Sequence, residues 1–496
     1  MPVHVSMERD IKNKAISGIS WNISTRIGGQ VLQFGTLIIL TRLLEPRDFG
    51  LVGMVTVFIG FARIFIDLGF GDALIQRSDA DERYFTTVFW VNVIMGIFLS
   101  ALFFLIAPAI SQFYNYPFLV PIARVLAILF FVNSLSVIPL TLFRRSLDFR
   151  RLATIEIFAS VLGAAVAIVM AVADYGVWSL VGQQLVFATV TMGSMWIFVT
   201  WHPTWLFDRN ALKDLFSFSM NLIGYRVFDY TVGNIDNMLV GKYLGPVPLG
   251  FYSRAYNTMR LPCQVSAPLA EVMFPVLSRF QSDKDQLKRI YLRTVGIIAL
   301  VTFPVMSGLL VVTKPFVLAF FGNKWSGMIP VLQIFCLLGM AQSIGSTVGW
   351  IYNSTGRTDL QLRWGIGSGV VFILSIVLGI WLGSIEAVAI CYAVASGIIL
   401  IVPSFSIPGR IIGMTVGEVA NVLKEIVLAC IIMASTVAII GRFLPNAWSN
   451  WTYLSIQVPI GILIYIVAIR CLGVKAFLDV KQIVDEHFVP KVVKAN

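Results

Sequence analysis

Apolar runs long enough to cross a bilayer recur from Ile16 to Cys471, each followed by a short polar connection. An α-helix rises 1.5 Å per residue, so about 20 apolar residues span the hydrocarbon core. The pattern predicts fourteen helical spans, over residues 16–40, 50–71, 86–107, 118–141, 152–173, 177–199, 213–235, 247–270, 291–313, 326–350, 361–382, 386–407, 418–441 and 452–471. Turn-forming residues mark many breaks: Glu45-Pro46, Ala107-Pro108, Tyr116-Pro117, Asp174-Tyr175-Gly176, Gly245-Pro246, Gly322-Asn323 and Leu444-Pro445. Spans seven and eight are the least apolar, because Asp229, Asp236, Lys242, Arg254 and Arg260 interrupt them.

Composition strengthens the membrane assignment. Of 496 residues 57% are hydrophobic and 13% charged, with a mean hydropathy of +0.84. A soluble chain carries about 25% charged residues to face water, and this one has too few to cover itself. The longest connections, from about Pro275 to Ile290 and after Cys471, are too short to build a core of their own. There is no GxxxxGK[ST] phosphate loop, so the chain is not expected to hydrolyse ATP with its own parts. Cys263, Cys336, Cys391, Cys430 and Cys471 are scattered singly, and His4, His202 and His487 form no cluster; neither a metal site, a cofactor nor a histidine-based hydrolase is expected. The first apolar run exceeds a signal-peptide core, contains Arg26 and lacks a small-residue cleavage pattern, so it is expected to remain as the first helix.

Lysine and arginine set the expected orientation. With the N-terminus inside, 24 fall on the inner side and 6 on the outer, leaving 7 at or near membrane depth. That bias makes both termini cytoplasmic and requires an even number of spans. The net charge of +11 is split among short inner loops without forming one patch, which argues against nucleic acid and for loops held beside anionic lipid.

A faint internal repeat appears at a shift of 200 residues, where Ile23 falls on Ile223, Arg26 on Arg226, Leu44 on Leu244, Pro46 on Pro246 and Gly50 on Gly250. Such repeats build transporter halves around a central path. The expected organisation is two six-helix lobes, 16–200 and 201–410, two further helices in 411–471, a cytoplasmic N-terminal segment 1–15 and a cytoplasmic tail 472–496.

Charge at membrane depth costs about 2.5–3.5 kcal/mol per residue on insertion scales, so it faces protein or a wet cavity. Arg26, ten residues past Ile16, and Arg226, thirteen past Lys213, stand near mid-span. Together they would make a positive lining for a phosphate-bearing ligand, which arginine grips bidentately. The alternative is a structural ion pair, as between Arg226 and Asp229 three residues on. Arg63 and Arg124 are further candidate substrate contacts, against which stand a structural pair of Arg63 with Asp67, four residues on, and snorkelling of Arg124, alone near the outer end of its span. Tyr252, Tyr256 and Arg260 share one helical face, with Arg254 beside it; the stripe would stack on sugar rings and hold a diphosphate, or serve as an interfacial aromatic belt. Asp236, Glu156 and Glu386 are candidate proton carriers, or interfacial acids satisfied by water.

Gly18-Ile-Ser-Trp-Asn22, Arg26, Leu40-Thr-Arg-Leu-Leu-Glu-Pro-Arg-Asp-Phe-Gly50 and Asp67-Leu-Gly-Phe-Gly-Asp-Ala-Leu-Ile-Gln76 resemble the opening of bacterial polysaccharide flippases. These belong to the multidrug/oligosaccharidyl-lipid/polysaccharide superfamily. Asn234-Ile-Asp-Asn-Met-Leu-Val-Gly-Lys-Tyr-Leu-Gly245 and Gly250-Phe-Tyr-Ser-Arg-Ala-Tyr-Asn257 resemble the second-half counterpart in the colanic-acid and teichuronic-acid exporter branch. The resemblance implies a monomeric carrier in the bacterial inner membrane that moves an undecaprenyl-diphosphate-linked oligosaccharide to the outer leaflet by alternating access. It implies a proton or sodium gradient as driver and separate polymerase and export machinery as partners. By position Arg26 and Arg226 match its cavity lining, while Asp67, Asp229 and Asp236 are left between ion coupling and structure. The rival within the superfamily is a cation-coupled drug antiporter, which favours an acidic cavity, whereas arginines outnumber acids at depth here. A membrane glycosyltransferase would need a large extramembrane loop, and the loops are short.

Overall fold

The computed structural model describes residues 28–480 apart from Ser78, Val265, Ser282 and Asn446, so Arg26 lies outside the described residues. Two compact units divide the chain at Gly250. Within both, the described residues form helices joined by tight turns.

The first unit contains α1 (28–43), α2 (Pro46–Asp67), α3 (Phe70–Gln76), α4 (Glu82–Tyr114), α5 (Leu119–Leu126), α6 (Ile128–Arg145), α7 (Phe149–Val172), α8 (Val177–Phe198), α9 (Arg209–Leu244) and the first turn of α10 (Pro246–Cys263). Helix starts follow capping chemistry. Pro46 opens α2, where a missing N–H costs nothing, behind a capping box of Glu45 and Asp48. Asp81, Asp148 and Asp208 cap α4, α7 and α9 by accepting N–H bonds from the first turn. Asn115, Asp174 and Gly176 take left-handed backbone at the predicted breaks, and Gly245, at φ 95°, stops α9 before Pro246 begins α10.

Two predicted details of this unit are corrected. The helix does not break at Ala107-Pro108: α4 runs 33 residues through Pro108. Pro108 forfeits one backbone bond, while buried Ala107, Ile110 and Tyr114 hold the final turns inside the unit. The fourth span, in turn, is two helices meeting at Ala127. Ser100 of α4 satisfies the backbone there, donating to the Ala127 carbonyl (2.8 Å) and accepting from the Phe131 N–H (3.2 Å).

The second unit holds the rest of α10, α11 (Ser266–Arg279), α12 (Lys284–Phe320), a 3₁₀ turn (Asn323–Trp325), α13 (Met328–Gly345), α14 (Val348–Ser354), α15 (Thr358–Trp381), α16 (Ile385–Val394), a π turn (Ala395–Ile399), α17 (Ile401–Ile412), α18 (Val416–Phe443) and α19 (Asn450–Cys471). Its core is built on α12, whose Tyr291, Ile298 and Phe303 meet Ile351 of α14, Ile426 and Met433 of α18 and Tyr465 of α19. Three buried hydroxyls here have partners, Tyr291 with Thr347 (2.8 Å), Thr302 with Ser343 (3.0 Å) and Tyr465 with the Leu300 carbonyl (2.8 Å), whereas that of Tyr352 has none among the described residues. The predicted eighth span, 247–270, is divided: α10 ends at Cys263 and α11 continues to Arg279.

Eleven helical stretches among the described residues are long and apolar enough to cross a membrane. Large apolar side chains such as Ile197, Trp381 and Phe443 point outward in numbers that water would not tolerate and lipid does. The protein is therefore an all-α, multi-span membrane protein. α9, expected to open the C-terminal lobe, packs against α2, α3 and α4.

Candidate functional site

The segment Asp67-Leu-Gly-Phe-Gly-Asp72 ends one helix and starts another. Leu68 (φ 50°) and Gly69 (φ 76°) turn the backbone left-handed, so the chain doubles from α2 into α3. A left-handed leucine is uncommon and is held by what surrounds it. Asp67 Oδ1 accepts the Gly71 N–H at 2.8 Å, and any side chain on Gly71 would press on that carboxylate, at 3.1 Å. The turn brings Asp67 and Asp72 to one place.

Arg226 of α9 meets both. Its Nη2 donates to Asp72 Oδ2 in a close ion pair, and its Nη1 lies 4.0 Å from Asp67 Oδ2. About a third of the arginine side chain stays exposed. Arg226 thus stands between two carboxylates as an ion-pair partner, and Arg144 is also close enough to act electrostatically on Asp67. The ion-pair alternative named Asp229, which instead points outward. Arg226 lies midway along the 36-residue α9, level with the last residue of α2.

From that ion pair α9 runs closely along α2. Tyr230, one turn past Arg226, donates its hydroxyl to the Val57 carbonyl (2.9 Å), passing over Gly60, where a methyl group would collide with its ring. Further on, Gly241 admits Tyr114, Met54 and Leu249 at 3.1–3.2 Å from where its Cβ would be. At the far end Gly50 of α2 faces the Pro246 backbone, and Gly250 of α10 faces the Pro46 backbone. A Cβ at either glycine would overlap the opposing proline carbonyl. Two glycines and two prolines that matched at the 200-residue shift thus make one reciprocal contact.

The remaining candidates are dispersed. Arg63 is exposed, and Asp67 faces Arg226 in its place. Arg124 lies 4.7 Å over the Phe104 ring, and Lys242 reaches the Phe113 carbonyl. Asp236 is buried, its Oδ1 taking the Asn237 N–H (2.7 Å) and side-chain amide (3.2 Å). The Tyr252–Tyr256–Arg260 stripe goes from core to surface. Tyr252 is fully buried against Phe335, Tyr256 is half-buried between Phe335 and Tyr392, and exposed Arg260 sits 6.0 Å over the Tyr256 ring. A buried Tyr252 packs and cannot stack on a sugar. Arg254 is half-buried, with Thr258 donating to its carbonyl. Among the described residues no three metal-ligating side chains come together. Asp72, Tyr230 and Gly60 escaped sequence reasoning: Asp72 lay in a quoted motif without a role, 154 residues from its arginine.

A family model described as polysaccharide biosynthesis protein matches residues 39–330. The teichuronic acid biosynthesis protein TuaB of Bacillus subtilis is 32% identical over 394 residues, covering 78% of this chain and 80% of that one. The succinoglycan biosynthesis transport protein ExoT of Rhizobium meliloti is 25% identical, covering 77% of this chain and 74% of its own. Among solved structures, lipid II flippase MurJ in an inward closed conformation matches with a TM-score of 0.73 over 91% of this chain and 98% of that chain; at 14% identity the likeness is one of fold alone.

Proposed function

The chain belongs to the family of polysaccharide biosynthesis proteins, and from that premise we propose that it translocates a lipid-linked oligosaccharide across the bacterial inner membrane for polysaccharide assembly. The observation that carries the proposal is 32% identity over four-fifths of a teichuronic acid biosynthesis protein. The substrate we assign is an undecaprenyl-diphosphate-linked repeat unit, moved from inner to outer leaflet, and the branch is that of the colanic-acid and teichuronic-acid exporters. The working unit is fourteen helices, six in each of two lobes, 16–200 and 201–410, and two in 411–471, with both termini cytoplasmic.

Movement in this scheme exchanges partners at Arg226. A guanidinium that holds Asp72 in the closed arrangement presents the same fork to a diphosphate when α9 parts from α2 and α3. The released carboxylates then take up a proton or sodium ion, which couples the step to a gradient. Arg26, on the equivalent helix of the first half, supplies the second cation, and Arg254 and Arg260 with Tyr256 act further along the path. The Pro46–Gly250 and Gly50–Pro246 contacts close the outer end while the inner end is loaded.

The two carboxylates beside Arg226 favour one second reading, an antiporter of organic cations. Vesicles containing the purified protein separate the two. A polyprenyl-diphosphate oligosaccharide added to one leaflet is expected to become accessible in the other at a protein-dependent rate, with no change in covalent structure. A rate equal to that of empty vesicles, with gradient-driven uptake of an organic cation, overturns the proposal in favour of the second reading.

A further inference from the structure

The second unit contains a cavity of about 840 Å³ lined by Gln281, Lys284, Thr355, Arg357, Leu360, Ile407, Arg410, Ile411 and Ile412. Three segments distant in sequence build it: the start of α12, the turn from α14 into α15, and the last turn of α17. The first two helices begin where the third ends, which puts the cavity at helix ends on one face of the unit. Sequence reasoning dispersed these positive charges among separate loops; folding collects three of them. Among the described residues no acidic side chain lines the space. Arg357 is held by Asp359 through bonds of 3.1 and 3.3 Å, which fixes its guanidinium at the rim. Lys288, one turn beyond Lys284, is occupied by Glu418 (3.1 Å) and the Gly413 carbonyl (3.3 Å), tying the neighbouring helix ends together.

The walls divide by chemistry. Lys284, Arg357 and Arg410 with Gln281 and Thr355 offer donors, and Leu360, Ile407, Ile411 and Ile412 form an apolar side. A phosphate satisfies the first and a hydrocarbon stem the second. Basic pockets at helix ends on the cytoplasmic side take anionic lipid headgroups for this reason. The volume admits a phosphoglycerol group and the start of its acyl chains.

We infer that this cavity binds the phosphate headgroup of an anionic phospholipid, with Lys284 and Arg410 as its principal contacts and Arg357 as a fixed rim charge. The site shares no residue with the Arg226 cluster and holds a resident lipid.

The test uses delipidated, full-length protein in neutral detergent, titrated with dihexanoylphosphatidylglycerol and followed by thermophoresis. Binding is expected, weakened roughly fivefold by Lys284→Gln or Arg410→Gln alone and roughly a hundredfold when both are combined with Arg357→Gln. Dihexanoylphosphatidylcholine is expected not to saturate, because its headgroup carries no net charge. The inference is overturned if the single variants bind as the parent does, or if phosphatidylcholine binds equally. It is also overturned if inorganic phosphate binds as tightly as the lipid, which would mark a free-anion site. Farnesyl diphosphate binding more tightly than phosphatidylglycerol would reassign the cavity to an isoprenyl-diphosphate and overturn it as well. Should the triple variant fail to fold, the single variants carry the test.

Discussion

At the scale of single residues, Arg226 is an ion-pair partner that the proposed function also assigns to substrate. Its partners are between about a quarter and a half exposed, so the ion pair itself contributes little to stability, about 1 kcal/mol or less. A double-mutant cycle of Arg226→Gln with Asp72→Asn, read by thermal unfolding, is expected to give a coupling of that size. Transport is expected to respond more strongly. Arg226→Gln loses a charge-assisted contact to diphosphate worth about 1.5–3 kcal/mol and slows translocation roughly ten- to a hundredfold with insertion intact, whereas Asp72→Asn frees the arginine and lowers the apparent KM. Wild-type rates in both variants would reduce Arg226 to a structural pair. Ser100 illustrates a different residue-scale effect: Ser100→Ala removes an acceptor from the Phe131 N–H and leaves the Ala127 carbonyl with the Phe130 N–H, and should cost about 1–3 kcal/mol, visible as a lower melting temperature in detergent. The partner of Arg226 was not legible in the sequence because helical spacing ranks only neighbours three and four residues away, and Asp72 arrives through a left-handed turn 154 residues earlier. The same limit hid the depth of Tyr252, whose position on a mixed face did not reveal which neighbour would cover it.

At the scale of elements, boundaries were largely readable. Gly245, Gly322 and the Asp174–Gly176 turn stop helices where sequence placed breaks, since each adopts a backbone that a continuing helix forbids. Proline was less informative: Pro108, Pro304 and Pro315 all lie inside helices whose flanking turns are anchored by packing. The weak 200-residue repeat acquires physical content from Pro46, Gly50, Pro246 and Gly250. In the pair of glycines a methyl group meets backbone that cannot swing aside, so Gly50→Ala or Gly250→Ala is expected to cost about 1–3 kcal/mol and to prise the two helix starts apart. A cysteine placed by Arg47→Cys in a background without native cysteines should then react faster with an impermeant maleimide added outside. Gly53→Ala is the control, because its Cβ would sit at an ordinary 3.5 Å from Leu249 and should leave labelling unchanged.

At the scale of the whole molecule, membrane character was plain from the shortage of charge, whereas the packing neighbours of each span were not. Hydropathy counts spans without saying which neighbour each one chooses, and α9 chose α2, α3 and α4. The orientation drawn from 24 inner against 6 outer cations makes a direct prediction. A fluorescent protein fused after Asn496 should fluoresce in cells, and an alkaline phosphatase fused there should be inactive; the reverse pattern would invert every statement made about inner and outer faces.

The stretch joining α8 to α9 is bound down along its length: Trp90 stacks on Trp205 at 4.4 Å, its indole N–H donates to the Thr204 carbonyl at 2.9 Å, and the Asp208 N–H donates to Thr87 at 3.0 Å. The root of α9 is thereby stapled to α4, while its tip leads through Gly245 straight into the proline-glycine clasp. A rod pinned at both ends cannot swing like a door. It can only bow, and Gly224 and Gly233, where nothing crowds the backbone, are where such flexure meets least resistance.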